Sequence, residues 1–373
     1  MNRICTIIAL NYLPQAMALL ESTRKVYPEV DFYVLIIDGT SKEITHLPTA
    51  HILLTEDLAI PSEWLLEMRS YYDAMELATS LKPFLLDTLL TDEIETVTYL
   101  DPDVLLFGEL TEGIEIAKNH GIALTPHRLT PSNILKPTFS ELEFLKYGIF
   151  NLGYIAVGQS SKDMLAWWSS RLRWYCTKFP NDPSFTDQKW MNFVPALFDF
   201  ETVKNKGYNV AFWNLDERPL SLIDDTYFVG AEPLIFIHFA QMSGVLAKGG
   251  KTDRWADSLD LSDESIISLR LISEITENYS KQLADFGNSN KFENNFAMLN
   301  QKLSYHFKKR LIGKSIIAER HMKNVPQKFQ NKTRKFGRIS LFLEKSSAIN
   351  GFRDGFAYDR DKFRKVFSRI FKR

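Results

Sequence analysis

Asp101 and Asp103 flank Pro102 in Tyr99-Leu100-Asp101-Pro102-Asp103, directly after an apolar strand-like run over residues 97–100. Two carboxylates one residue apart can turn toward one hard cation, and magnesium or manganese in turn bridges the phosphates of a nucleotide. The pair therefore points to chemistry on a diphosphate. The same tripeptide suits an ordinary turn, because proline fixes φ and aspartate bonds nearby amides. His238 lies at the end of Ile235-Phe236-Ile237-His238-Phe239. A lone histidine on an apolar strand is more often a satisfied core residue, yet neutral imidazole is also a sound manganese partner beside two carboxylates.

Four further groups have two readings each. Lys82, in Leu81-Lys82-Pro83, reaches a pyrophosphate or is a solvated surface cation. Asp38 ends another apolar run and serves as a ribose or base ligand or as a strand-end cap. In Asn151-Leu152-Gly153 the amide offers donor and acceptor, and glycine lets a ligand approach the backbone; the alternative is a turn before a strand. Asp187, before Gln188, faces a substrate or N-caps a helical segment over 189–194.

These groups need a scaffold. Residues 4–10 and 32–37 read as buried strands around a helix over 15–26, a β-α-β opening. A helix over 75–90, interrupted by Pro83, leads into the strand at 97–100. Further strands are expected at 121–125, 154–157, 210–213 and 234–239, with a Trp-rich helix over 163–175. This alternation indicates an α/β fold with a mainly parallel central sheet flanked by helices. Ligands collect beyond the carboxyl ends of such strands, where Asn11, Asp38 and Asp101 fall. The α/β domain is expected to close near residue 250 at Gly249-Gly250, followed by an acidic helical segment within 251–300 and a basic extension over 301–373.

The order of the groups carries more than any one of them: Asn11-Tyr12, Asp38, Lys82, Asp-Pro-Asp, Asn-Leu-Gly, Asp-Gln and a strand-borne histidine. In this order residues 1–250 resemble the GT-A fold nucleotide-sugar glycosyltransferases, specifically the retaining family 8 type that includes glycogenin and bacterial galactosyltransferases. Tyr99 to Asp103 resembles the metal-binding DxD, Phe150-Asn151-Leu152-Gly153 the Phe-Asn-Ser/Ala-Gly, Asp187-Gln188 the Asp-Gln, and Ile237-His238-Phe239 the metal-ligating histidine. The resemblance implies Mn2+ or Mg2+ held by Asp101, Asp103 and His238, a nucleotide-sugar donor, UDP foremost, and transfer to a glycan or glycolipid acceptor. It implies that Asn11 and Tyr12 lie by the base, that Lys82 neutralises the diphosphate, and that Asn151, Gly153, Asp187 and Gln188 line the sugar and acceptor side. The chain departs from the family after the histidine, where Gln241 replaces a near glycine and Gly244 and Lys248 stand further on.

The composition is ordinary for a globular enzyme, with 45% hydrophobic and 24% charged residues in 373. Its net charge of −1 conceals two unlike parts: residues 301–373 hold 21 Lys and Arg against 5 Asp and Glu, and residues 1–300 hold 24 against 41. Phe363, Val366, Phe367, Ile370 and Phe371 recur at helical spacing among cations. That pattern suits an anionic membrane surface or packing on an acidic protein face. No nucleic-acid reading motif accompanies the charge. With two cysteines, Cys5 and Cys176, no signal-peptide pattern and no long apolar run, the expectation is a cytoplasmic protein, peripheral on the membrane at most.

Rival classes fit less well. A sugar nucleotidyltransferase expects a glycine-rich, Arg-containing loop after the first strand, where this chain has Ala9-Leu10-Asn11-Tyr12-Leu13-Pro14. A phosphatase expects its carboxylate pair on the first strand. A non-catalytic scaffold that binds membranes through its tail is the reading from a different class.

Overall fold

The computed structural model describes residues 1–39, 49–133, 139–179, 182–258, 263–289 and 305–323. The chain forms two compact units, Met1–Lys302 and Leu303–Arg373. From the N-terminus the first unit runs β1 (Asn2–Ile8), α1 (Leu13–Val26), β2 (Asp31–Ile36), β3 (His51–Leu54), α2 (Ser62–Tyr71), α3 (Ala74–Ser80), α4 (Lys82–Leu89), β4 (Thr96–Leu100) and β5 (Val104–Leu106). It continues through α5 (Thr111–His120), β6 (Ile122–Pro126), α6 (Glu141–Tyr147), β7 (Phe150–Gly158), α7 (Lys162–Leu172), α8 (Val194–Leu197) and β8 (Glu201–Thr202). It ends with β9 (Leu220–Ile223), β10 (Thr226–Val229), β11 (Glu232–Pro233), β12 (Phe236–His238), α9 (Ser243–Leu246) and α10 (Asp263–Ser289). Within the second unit the described element is α11 (Tyr305–Lys323). The amphipathic stripe expected over 361–373 lies outside the described residues, as do Thr40 and Ser41 of the turn after Asp38.

The central sheet has seven strands in the order β3-β2-β1-β4-β7-β6-β8. β3, β2, β1 and β4 pair in parallel, as do β6 and β8, while β7 runs antiparallel to both of its neighbours. The fold is thus α/β with a mostly parallel sheet, as the alternation of elements indicates. Covered on both faces, its central strands do not alternate: every residue of β4 and β7 is buried. Cys5 and Cys176 are buried free thiols, and burial pushes the pKa of each up, which suits structural thiols.

Several boundaries differ from the sequence expectation for local reasons. The first strand ends at Ile8 and a 3-10 turn over Leu10–Tyr12 follows, because the Leu10 N–H bonds the Asp38 carboxylate at 2.8 Å and not a neighbouring strand. The expected helix over 75–90 is two helices, since Pro83, lacking an N–H, is tolerated in the first turn of α4 and not in a helix interior. Asp73 and Glu76 form a capping box at the start of α3. Residues 210–213 are not a strand: Val210 bridges Ile237, and then the Asn214 amide captures the backbone, accepting from Ala211 N at 2.9 Å and donating to Asn209 O at 3.0 Å. The helical segment expected at 189–194 is a 3-10 turn over Gln188–Phe193.

Trp255 and α10, past residue 250, belong to the first unit and its core. α10 packs on α1 and β9, and its Ile272, Ile275, Tyr279 and Leu283 complete an apolar cluster with Phe212, Trp213, Phe239, Met242 and Trp255. No helix among the described residues is long and apolar enough to cross a membrane.

Candidate active site

The site forms where β4 ends and the chain turns. Leu100 closes β4, a turn spans Asp101 to Asp103 with Val104 N–H on Asp101 O at 3.1 Å, and β5 then pairs antiparallel with β12. In that ribbon His238 lies opposite Val104, and Phe239 N–H bonds Asp103 O at 2.9 Å. A three-residue ribbon therefore carries His238, 135 positions past Asp103 in sequence, to the two aspartates. His238 Nε2 lies 3.3 Å from Asp103 Oδ1 and 3.6 Å from Asp101 Oδ2.

These separations fit a shared ion. Ligands held about 2.1 Å from one octahedral ion sit roughly 3 Å apart when adjacent and roughly 4.2 Å when opposite. Among the described residues, Asp101, Asp103 and His238 form a group whose ligand atoms all lie within 4.8 Å of one another. Oxygen donors with one imidazole suit magnesium or manganese. The Asp103 side chain is 13% exposed and that of His238 is 3%, whereas Asp101 is 27% exposed, so the group opens to solvent on the Asp101 side.

Each member is held in place. Asp103 Oδ2 accepts from the Ser243 hydroxyl at 3.1 Å, and Asp101 Oδ1 accepts from the Tyr99 hydroxyl at 2.8 Å. Burial pushes the Asp103 carboxyl up, but His238 and Ser243 outweigh it and hold it low; burial alone lowers the His238 pKa, and Asp103 beside it raises it overall. Gly153, in β7, supplies the space for the imidazole: a Cβ there would meet His238 Cε1 at 2.3 Å and Nδ1 at 2.4 Å. The room that the sequence reading reserves for a ligand is filled by the histidine ring.

Lys82 joins a second cluster to the first. Its ammonium donates to Leu152 O at 2.8 Å, pairs with Asp187 at 2.8 Å and with Asp101 at 3.2 Å, and lies 4.5 Å above the Tyr99 ring. Three oxygens thus lie within reach of an ammonium that has three protons. Lys82 is buried, which alone lowers its pKa, but the two carboxylates raise it overall. Burial also pushes the Asp187 carboxyl up, against the pull of Lys82; the 2.8 Å contact marks the pair as ionic. Asp187 makes no side-chain cap to the turn that follows it. The preceding Thr186 has φ 46°, a strained value for a β-branched residue.

The other sequence candidates are distributed around this centre. Tyr12 is half-buried, and burial followed by Asp103 and Asp101 raises its phenol pKa, which puts it within electrostatic reach of both. Asn11 is exposed beside it. Asp38 is buried and caps the Leu10 N–H at the base of that turn. Asn151 joins the centre through His238, while Gln188 turns aside and donates to Tyr147 O at 2.9 Å.

Four residues of the site had no reading from sequence. Ser243 holds Asp103, Asn209 and His127 stand behind Asn151, and Tyr279 of α10 stacks on Phe239 at 4.1 Å. The Tyr279 hydroxyl is buried without a hydrogen-bond partner among the described residues, and burial, then Asp103 and Tyr12, raises its pKa. A positive φ of 53° at Asn209 is the backbone state that asparagine tolerates best among side-chain-bearing residues.

No family model matches the chain. The uncharacterized protein YfnF of Bacillus subtilis (strain 168) is 26% identical over 243 residues, covering 63% of this chain and 80% of that protein. YfnD of the same organism is 24% identical over 257 residues, covering 65% and 78%. Among solved structures, the galactosyltransferase LgtC in complex with donor and acceptor sugar analogs is 14% identical with a TM-score of 0.45, over 80% of this chain and 100% of that one. The apo glycosyltransferase GlyE of Streptococcus pneumoniae TIGR4 is 14% identical with a TM-score of 0.43, over 74% and 64%.

Proposed function

We propose that the chain is a divalent-metal-dependent glycosyltransferase that moves a sugar from a nucleotide diphosphate, UDP foremost, to a glycan or lipid-linked glycan, with retention at the anomeric carbon. The observation that carries this reading is the Asp101, Asp103 and His238 group at the carboxyl end of a central strand, where open α/β sheets take nucleotides. Breaking a sugar-phosphate bond builds negative charge on the leaving diphosphate, and a bound divalent cation supplies the Lewis acidity that stabilises it. Lys82 is assigned a different part from direct contact with the diphosphate: its ammonium is enclosed by Asp101, Asp187 and Leu152 O, so it orients the Asp101 carboxylate. Asn11 and Tyr12 would meet the base, with Asp38 fixing their turn. Asp187, beside Lys82, would stand on the sugar side, whereas the Asn151 amide is turned to His238 and His127 and that of Gln188 to Tyr147 O, which moves both from sugar contact to support of the site. The basic 301–373 extension would hold the enzyme at an anionic membrane surface, near a lipid-linked acceptor.

Calorimetric titration of UDP with and without Mn2+, repeated on Asp103→Ala, tests the reading. Manganese-dependent UDP binding, lost in the variant, is expected. A folded protein that binds no nucleotide diphosphate with Mn2+ or Mg2+ would overturn it in favour of the membrane-bound scaffold.

A further inference from the structure

Behind the metal group lies a chain of hydrogen bonds anchored at both ends by backbone. Asn151 Oδ1 accepts from Gly153 N–H at 3.0 Å, and that donor is unambiguous. The oxygen side of the amide is thereby identified, and the same oxygen faces Asn209 Nδ2 at 3.2 Å and His238 Nδ1 at 3.2 Å. The Asn151 nitrogen must then face the other way, where His127 Nε2 lies at 3.3 Å. Its hydrogen needs an acceptor, so His127 Nε2 carries the lone pair and Nδ1 the proton. The far end agrees: His127 Nδ1 lies 3.3 Å from Ile149 O, an unambiguous acceptor.

We propose that His127 is a positioning residue for the metal site: through Asn151 it fixes His238 in the Nδ1–H tautomer, so that the Nε2 lone pair faces Asp101 and Asp103. The argument rests on the proposed metal-binding role of those residues. Two oxygens, from Asn151 and Asn209, face His238 Nδ1, each at 3.2 Å. Neither can receive a hydrogen from any tautomer but Nδ1–H. Were the Asn151 amide to rotate, its nitrogen would confront the Gly153 N–H, the Asn209 amide and the His238 Nδ1–H, donors all. Loss of the His127 acceptor leaves the Asn151 Nδ2 hydrogen that faces it unmatched in a buried place, so the nitrogen side of the amide no longer opposes such rotation and only its oxygen side does.

His127 is itself fixed in place. Its ring stacks on Phe144 at 4.7 Å and meets the Trp213 edge at 5.4 Å, while Trp213 also packs at 88° against His238. Asn214 Nδ2 holds the His127 carbonyl at 3.0 Å. A ring whose polar neighbours are the backbone at Gly148 and Ile149 and the Asn151 amide, buried between two aromatic side chains, is placed to orient a neighbour and not to meet a substrate. Outer-sphere partners of metal-bound histidine typically change metal affinity by about 10- to 100-fold.

The test compares His127→Phe, which keeps a flat ring but no acceptor, with His127→Gln, whose amide can accept from Asn151 and donate to Ile149 O. Imidazole 15N NMR of the metal-free protein, at a pH where both rings are neutral, reads the tautomers directly. Wild type and His127→Gln are expected to show His238 as a single Nδ1–H tautomer, and His127→Phe a mixture. Mn2+ titration followed by EPR is expected to weaken about tenfold or more in His127→Phe and to recover in His127→Gln. His127→Phe with the wild-type His238 tautomer and wild-type manganese affinity would overturn the inference. If wild type binds no Mn2+, the metal reading falls, and the tautomer measurement still decides what His127 does. His127→Leu carries the same comparison should His127→Phe not fold.

Discussion

Gly153→Ala isolates one contact. The substitution adds a single carbon in the middle of β7, and the backbone there is not in the left-handed region, so an alanine meets no conformational strain of its own. The new Cβ would stand 2.3 Å from His238 Cε1, 2.4 Å from Nδ1 and 2.9 Å from Asn151 Oδ1. Nonbonded carbons rest at about 3.5 to 4.0 Å, so the imidazole must retreat by roughly 1 Å or more. That retreat breaks the Nδ1–H contacts to Asn151 and Asn209, each 3.2 Å long, and moves Nε2 from its 3.3 and 3.6 Å positions beside the carboxylates. Overpacking of a buried strand costs about 1 to 3 kcal/mol, which denaturant unfolding measures. Manganese affinity by calorimetry is expected to fall by about 100-fold or more, since a ligand itself is displaced and not only its outer partner. Gly158→Ala is the control: a Cβ there would meet Ala117 O at 2.1 Å, at the other end of β7, so stability falls without a specific loss of metal affinity. A folded Gly153→Ala that binds Mn2+ as wild type does would refute the reasoning that glycine is needed for the histidine.

Lys82→Met should destabilise by about 3 to 5 kcal/mol, because it leaves the Asp187 carboxylate, 4% exposed, buried and unpaired; adding Asp187→Asn should recover part of that loss, and additive losses would refute the pairing. His127 has its pKa pushed from 6.5 to about 4, chiefly by burial, with His238 and Arg218 adding to the effect. The unfolded chain therefore takes up a proton that the native state refuses, and stability is expected to rise by about 3 kcal/mol as pH increases from about 4 to 6.5. Denaturation curves across that range should lose this slope in His127→Phe, and an unchanged slope would assign it to other groups.

What was legible in sequence was what short-range chemistry determines. Apolar runs marked β1, β2, β4 and the buried part of β7, and proline marked the break between α3 and α4. The Asp101, Asp103 and His238 group was legible through the order of motifs, because each stands at or just past the end of such a run. Illegible were contacts made by elements too short to have a period: β5 and β12 are three residues each, yet their pairing brings His238 to Asp103. Gly153 was read as space for a ligand because sequence gives the absence of a side chain without saying what fills it. His127 follows Pro126 with no spacing signal, and its role depends on a hydrogen-bond direction set by backbone groups at 149 and 153. Tyr279 lay past the expected domain boundary, which the double glycine suggested and the packing of α10 on α1 does not respect.

Charge explains why these parts belong together. Lys82 stands against the three carboxylates of Asp101, Asp103 and Asp187, which leaves two negative charges in a largely buried place when His238 is neutral. A proton on His238 offsets one of them, the direction in which Asp103 pushes its pKa against the effect of burial. At the 3.3 Å separation from Asp103, such a pair is worth about 5 kcal/mol at an effective dielectric constant of 20, before desolvation is counted. A divalent cation offsets both charges at once and needs the His238 lone pair free, so cation and proton compete for the same nitrogen. A nucleotide diphosphate, itself anionic, meets a repulsive site until the cation is in place. On the proposed function, the dependence of UDP binding on Mn2+ is therefore a property of the buried charge of these four side chains as much as of direct coordination.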